Sequence, residues 1–119
     1  MKQMLAELLM LINLERAKVG AQALAYRPEI EQASNLRAQE ASKLWSHTRP
    51  NGLPYYSADD RIYGENLAKN YGTPQEVLTA WLNSESHKKN LLNASFKGAC
   101  IGVYEENGNS WISLELTKT

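Results

Sequence analysis

The sequence predicts an α+β layered domain, on three observations. Apolar residues recur at helical spacing in the N-terminal part. Further helical segments flank a stretch that reads as a strand. The C-terminus reads as an antiparallel hairpin.

Residues 3–19 read as the first helix: Leu5, Leu8, Leu9, Ile12 and Leu14 form an apolar stripe, and Gly20 follows as a stop signal. Arg27-Pro28-Glu29 opens a second helix, because proline suits the first helical position. Ile30, Ala33, Leu36, Arg37, Glu40, Ala41 and Leu44 carry it to about Trp45. Residues 47–60 are rich in Pro, Gly, Asn and Asp and predict a long loop, the kind of segment that often carries function. A short strand is expected around Ile62–Lys69. Thr73-Pro74-Gln75-Glu76 is a helix start in which Thr73 caps and Glu76 reaches back to close a capping box. Val77, Leu78, Trp81 and Leu82 form its apolar face. Ser84 is read as the cap of a further short helix through His87 to Leu92. The hairpin pairs Ala99–Glu106 with Ser110–Thr117 across Asn107-Gly108, a strong two-residue turn signal. In the return strand Ile112, Leu114 and Leu116 alternate with Ser113, Glu115 and Thr117.

Length and composition narrow the classes. The chain of 119 residues is read as a single domain over residues 1–119, with no repeat and no linker. With 43% hydrophobic and 22% charged residues it is of ordinary globular composition. Lys and Arg number 13 against 13 Asp and Glu, with no long block of one sign, so a nucleic-acid partner is not expected. Its one cysteine, Cys100, cannot form an intramolecular disulfide and reads as a small buried hydrophobe. The apolar stretch Met4–Ile12 is too short to span a bilayer, and with Glu7 inside it does not read as a signal peptide.

Five segments follow one another in a recognisable order. They are Asn13-Leu14-Glu15-Arg16-Ala17; Ser46-His47-Thr48-Arg49-Pro50-Asn51-Gly52; Gly64-Glu65-Asn66-Leu67-Ala68; Trp81, Ser84, His87 and Asn90-Leu91-Leu92; and Phe96 with Ile101-Gly102-Val103 and Trp111. In this order and spacing the chain resembles the CAP superfamily (cysteine-rich secretory, antigen 5 and pathogenesis-related proteins), in the cysteine-poor, SCP-like bacterial form. The resemblance spans nearly the whole chain. It implies an α-β-α sandwich, a central antiparallel sheet flanked by helices. It also implies a location outside the cell or in the envelope, although a cytosolic protein fits the residues equally. Two departures stand out: the stapling cysteines of eukaryotic members are missing, and Ser84 stands where those members tend to carry a second motif glutamate.

By the same resemblance His47, Glu65 and His87 fall on the family's cleft positions. Two imidazoles and a carboxylate suit Zn²⁺ or a similar divalent cation, with a fourth position open to water that could be activated for hydrolysis. The competing reading is structural: paired His and Glu can pin a loop to a helix through hydrogen bonds alone. Histidines that titrate near neutrality would make the cluster pH-sensitive. Ser84, Asn66, Arg49 and Tyr63 are further candidates for the ligand cleft, each with a plainer role as helix cap, backbone partner, turn or packing residue. Tyr55, Tyr56, Tyr63 and Tyr71 are read as packing, with a ligand groove as the alternative. Trp45, Trp81 and Trp111 are read as core, with a cleft wall as the alternative. Ser84, Ser86, His87 and Glu65 do not read as a serine hydrolase, since no nucleophile elbow is present.

Three functions are therefore expected in turn. The first is a binding module for a small molecule, lipid or cell-wall ligand, monomeric, with or without a divalent ion. The second is a metal-assisted protease or esterase using the same cleft. The third is a structural or interaction module with a vestigial cleft.

Overall fold

The structure, a computed structural model, describes residues 2–119. The elements run α1 (Lys2–Lys18), β1 (Ala25–Tyr26), α2 (Glu31–Lys43), β2 (Ile62–Lys69), α3 (Pro74–Leu82), α4 (Glu85–Leu92), β3 (Gly98–Glu106) and β4 (Asn109–Thr117). The strands form one sheet in the order β1-β3-β4-β2. β2, β4 and β3 are antiparallel neighbours, as expected. The sheet is mixed rather than wholly antiparallel, because β1 joins its edge parallel to β3 through Ala25–Gly98 and Tyr26–Ala99. Two residues carry no periodicity, so this strand has no sequence signature.

The hairpin forms where Asn107 and Gly108 both take positive φ, 52° and 78°, the geometry that matches the twist of the flanking strands. The alternation in β4 does not separate core from solvent; both sets are buried. Leu114, Leu116, Ile112 and Ile101 face a large apolar cluster with Leu8, Ile12, Val77, Trp81 and Leu91 from α1, α3 and α4. Ser113 and Glu115 face the other way, under α2. There Ser113 Oγ donates to the Ser34 carbonyl at 2.6 Å. Gly102 permits this approach: a Cβ on it would overlap the Ser34 backbone. Three layers result, helices on both faces of the sheet.

Polar residues on the helices hold these layers as firmly as apolar ones. Leu14, placed in the α1 stripe from its spacing, is exposed. Its neighbour Asn13 instead clasps Leu24, donating to its carbonyl at 3.1 Å and accepting its N–H at 2.7 Å. Arg16 is completely buried. Its guanidinium donates to the carbonyls of Gln22, Leu91, Asn93 and Phe96 at 2.6–3.1 Å, tying α1 to the end of α4 and the approach to β3. Asn13 and Arg16 of the first motif are thus structural clamps. Pro28 opens a short 3₁₀ turn (Pro28–Ile30) that leads into α2. α2 ends at Lys43, two residues before the expected limit, because Leu44 is already extended. Thr73 caps α3 by accepting the Glu76 N–H, but Glu76 returns the contact to the Thr73 hydroxyl and so forms a variant of the expected box.

Candidate functional site

The period-two geometry of β2 sends the Gly64-Glu65-Asn66 residues to opposite faces, and each has a distinct partner. Gly64 lies where a Cβ would come within 2.7 Å of the buried Phe96 ring, so a larger residue would have to displace that ring. Asn66 is fully buried; it donates to the His87 carbonyl at 3.1 Å and accepts from Asn90 at 2.9 Å, locking α4 onto the strand. Asn90 also donates to the Glu65 carbonyl at 3.1 Å. Glu65 points to the other face, under α2. Its carboxylate takes two hydrogen bonds from Arg37, Nε to Oε2 at 2.8 Å and Nη2 to Oε1 at 3.0 Å. His47 Nδ1 lies 2.8 Å from the same Oε1.

Around this pair a network of charges runs outward along α2. Arg37 bonds Glu40 at 2.9 Å and the Ser46 carbonyl at 2.8 Å. Glu40 accepts a forked contact from Arg49 at 2.9–3.1 Å, and Arg49 also reaches Ser57 Oγ. The 47–60 loop is therefore fastened to α2 by the planar fork of Arg49. Burial alone would push Glu65 up, but His47 and Arg37 outweigh it and hold its carboxyl below the ordinary range. Glu40 behaves in the same way: burial raises it, and Arg49 and Arg37 pull it lower.

Glu115 sits opposite Glu65 in the β2–β4 register and is wholly buried, with no hydrogen-bond partner on either carboxyl oxygen. Burial first, and the Glu65 charge second, push its pKa well above the ordinary value. The two facing carboxyls are thus shifted in opposite directions, Glu65 down on His47 and Arg37 and Glu115 up.

The cleft opens on the outer side of this network. His47 is half exposed, at 52%, and stacks edge-on to Tyr55 with ring centroids 5.8 Å apart. His87 lies in a groove with Ser84, Trp45, Leu67, Tyr71 and Trp81. Burial, and then the nearby His47 charge, lower the His87 pKa and favour its neutral imidazole. Trp81 is buried beneath, its indole N–H donating to the Leu67 carbonyl at 2.9 Å. Ser84 occupies the N-cap position of α4 but makes no side-chain capping bond; its hydroxyl belongs to the groove.

The structure separates the candidate residues into two groups. His87 and Ser84 line the groove, and His47 stands exposed beside Tyr55. Asn66 lies behind it as a buried strut, and Arg49 is spent on Glu40. Tyr63 is exposed at the start of β2, under Lys118 Nζ at 4.7 Å. Trp45, read from sequence as core, is 54% exposed. Glu65 does not fit a direct metal ligand, since its side chain is fully buried and both oxygens are engaged. Among the described residues no three His, Cys, Asp or Glu side chains are grouped to hold an ion. The residue that sequence reasoning passed over is Arg37 as the partner of Glu65. Its signal was present: Arg37 lies in line with Ala33 and Ala41 at helical spacing, and an arginine in a core-facing stripe needs a buried carboxylate.

With the fold and cleft in view, comparison with known proteins places the chain in a family. The model of the CAP group, described as the cysteine-rich secretory protein family, matches residues 9–114, and the chain belongs to that family. It is 34% identical over 109 residues to the uncharacterized protein YkwD of Bacillus subtilis, covering 85% of this chain and 42% of that one. It is 32% identical over 108 residues to the uncharacterized membrane protein YlbC of the same organism, covering 82% of this chain and 30% of the other. The chain thus spans less than half the length of these relatives. The fold matches an extracellular SCP-domain protein of Bacillus anthracis with a TM-score of 0.87 at 24% identity, over 99% of this chain and 41% of that one. It also matches an outer surface protein of Borrelia burgdorferi with a TM-score of 0.78 at 24% identity, over 99% of this chain and 95% of that one. No helix among the described residues is long and apolar enough to cross a membrane.

Proposed function

We propose that the domain is an extracellular ligand-binding module whose cleft is served by His47 and His87. The observation that carries this reading is the division of labour around Glu65. A carboxylate on His47 Nδ1 fixes the tautomer and leaves Nε2 free, which is how outer-shell carboxylates orient imidazole ligands. Glu65 therefore positions an imidazole rather than ligating an ion itself. His87, whose pKa burial and then the His47 charge lower, offers a second imidazole to a divalent cation such as Zn²⁺, and the remaining positions would come from ligand or water. Location outside the cell is supported by the descriptions of the structural relatives as extracellular and outer-surface proteins.

Hydrolysis stands second. A metal-assisted hydrolase needs a carboxylate free to take a proton, and Arg37 holds Glu65 as an ionised hydrogen-bond acceptor. Titration calorimetry of Zn²⁺ into the wild type and a folded His47→Ala/His87→Ala variant tests the reading. Saturable binding to the wild type that disappears in the variant supports it. Equal binding by both, or no binding by the wild type up to about millimolar Zn²⁺, a concentration weaker than any functional site requires, contradicts the metal component.

A further inference from the structure

The groove beside His87 has walls that the imidazole pair does not require. It encloses about 290 Å³ over the outer end of β2. At Tyr71 and Ala80 it meets a second recess of about 330 Å³ that runs along the edge of α3. The result is a shallow trough with two exposed aromatic rings, Trp45 and Tyr71, set along it. At one end lie the Ser84 hydroxyl and the His87 imidazole. At the other lie the amides and hydroxyl of Gln75, Asn83 and Thr79.

The exposure of Trp45 is enforced. Leu44 N–H bonds back to Glu40, and the Ser46 carbonyl is held by buried Arg37 at 2.8 Å. The backbone on both sides of Trp45 is thus anchored, so its indole is presented to solvent on a fixed frame. A rigid aromatic surface loses little conformational freedom when a ligand covers it. The flanking groups are mostly neutral and able both to donate and to accept hydrogen bonds. Lipid chains would leave these groups unpaired, at a cost in affinity. A pyranose chain satisfies both features: its C–H faces lie on aromatic rings while its hydroxyls meet hydroxyl, amide and imidazole groups.

We propose that this trough binds a linear oligosaccharide, with Trp45 and Tyr71 as stacking platforms and Ser84 and His87 hydrogen-bonding one sugar ring. The proposal deepens the ligand-binding reading and rests on it for the cleft as the entry point. It is tested with two soluble probes, an N-acetylglucosamine hexasaccharide and cellohexaose, titrated into the intact chain. The readout is the indole N–H resonance of Trp45 in the wild type, and titration calorimetry in the wild type and the Trp45 variants. At least one probe is expected to shift that resonance saturably. Trp45→Ala should weaken binding by about tenfold or more, with its unfolding midpoint unchanged because the ring is exposed. Trp45→Phe should retain part of the affinity. Absence of saturable binding by both probes at millimolar concentration overturns the proposal, as does undiminished binding by Trp45→Ala. Zinc binding without sugar binding would leave the histidine cleft standing and sink the trough. Sugar binding without zinc binding would do the reverse.

Discussion

At the scale of single residues, two facing carboxyls are shifted in opposite directions. Glu65 is ionised by Arg37 and His47, and its removal would strand a buried guanidinium. Glu65→Gln should destabilise the fold by about 3–5 kcal/mol, the cost of breaking one side of a buried ion pair. Urea denaturation would check this. Glu115 should behave oppositely. Its folded pKa is raised, so the folded state holds its proton more tightly than the unfolded chain does. Its contribution is fully present below the ordinary carboxylate value of 4.5 and is lost as pH rises through the folded pKa. Glu65 and Glu40 have lowered values, so their contributions hold above that value and fade as pH falls through their folded pKa values. Glu115→Gln should therefore flatten the fall in stability on the alkaline side and leave the acid limb intact. Denaturation midpoints across the pH range would show a steep alkaline limb in the wild type and a shallower one in the variant. An unchanged alkaline limb would mean that Glu115 is not the group being titrated.

At the scale of elements, the clearest case is the 47–60 loop, which has little regular structure yet is fixed to α2 through Arg49 and Glu40. Arg49→Ala should raise hydrogen exchange of loop amides such as Arg49 and Tyr55, which bond to Leu53 and His47, while the sheet stays protected. Arg49→Lys should rescue little, because an ammonium cannot reproduce the fork. The sheet–helix contact makes a second element-scale prediction. Gly102→Ala places a methyl against the Ser34 backbone, and backbone cannot move aside cheaply. A loss of about 1–3 kcal/mol or more is expected, read by thermal unfolding. Most element identities were legible in sequence because each has its own local code: Pro28, the Thr73-Pro74 start, and the Asn107-Gly108 turn. What was not legible depended on tertiary partners. β1 exists only because β3 lies beside it, and the chain just after α2 is held by buried Arg37 on the Ser46 carbonyl, a partner no local signal announces.

At the scale of the whole molecule, the three-layer sandwich explains why so many polar residues are buried. Arg16, Arg37, Asn66 and Glu115 all lie between layers, where they join elements distant in sequence. Family resemblance pointed to His47, Glu65 and His87 as cleft positions, but it did not separate exposed residues from those buried in support. That separation comes from burial. His47 and His87 face outward, whereas Glu65 and Asn66 brace them from behind. Hydrophobic periodicity could not show this, since an inward polar residue on β2 or β4 has the same spacing as an outward one when both sheet faces are covered.

The central claim is that the two imidazoles meet the ligand while Glu65 stays committed to the fold. It is tested most directly by NMR during zinc titration, following the imidazole nitrogens of His47 and His87 and the carboxyl carbon of Glu65 in one labelled sample. Saturable shifts of His47 Nε2 and of one His87 nitrogen are expected, with the Glu65 carbon unmoved. A Glu65 carbon that shifts in step with the metal, or histidine nitrogens that do not respond, would contradict it.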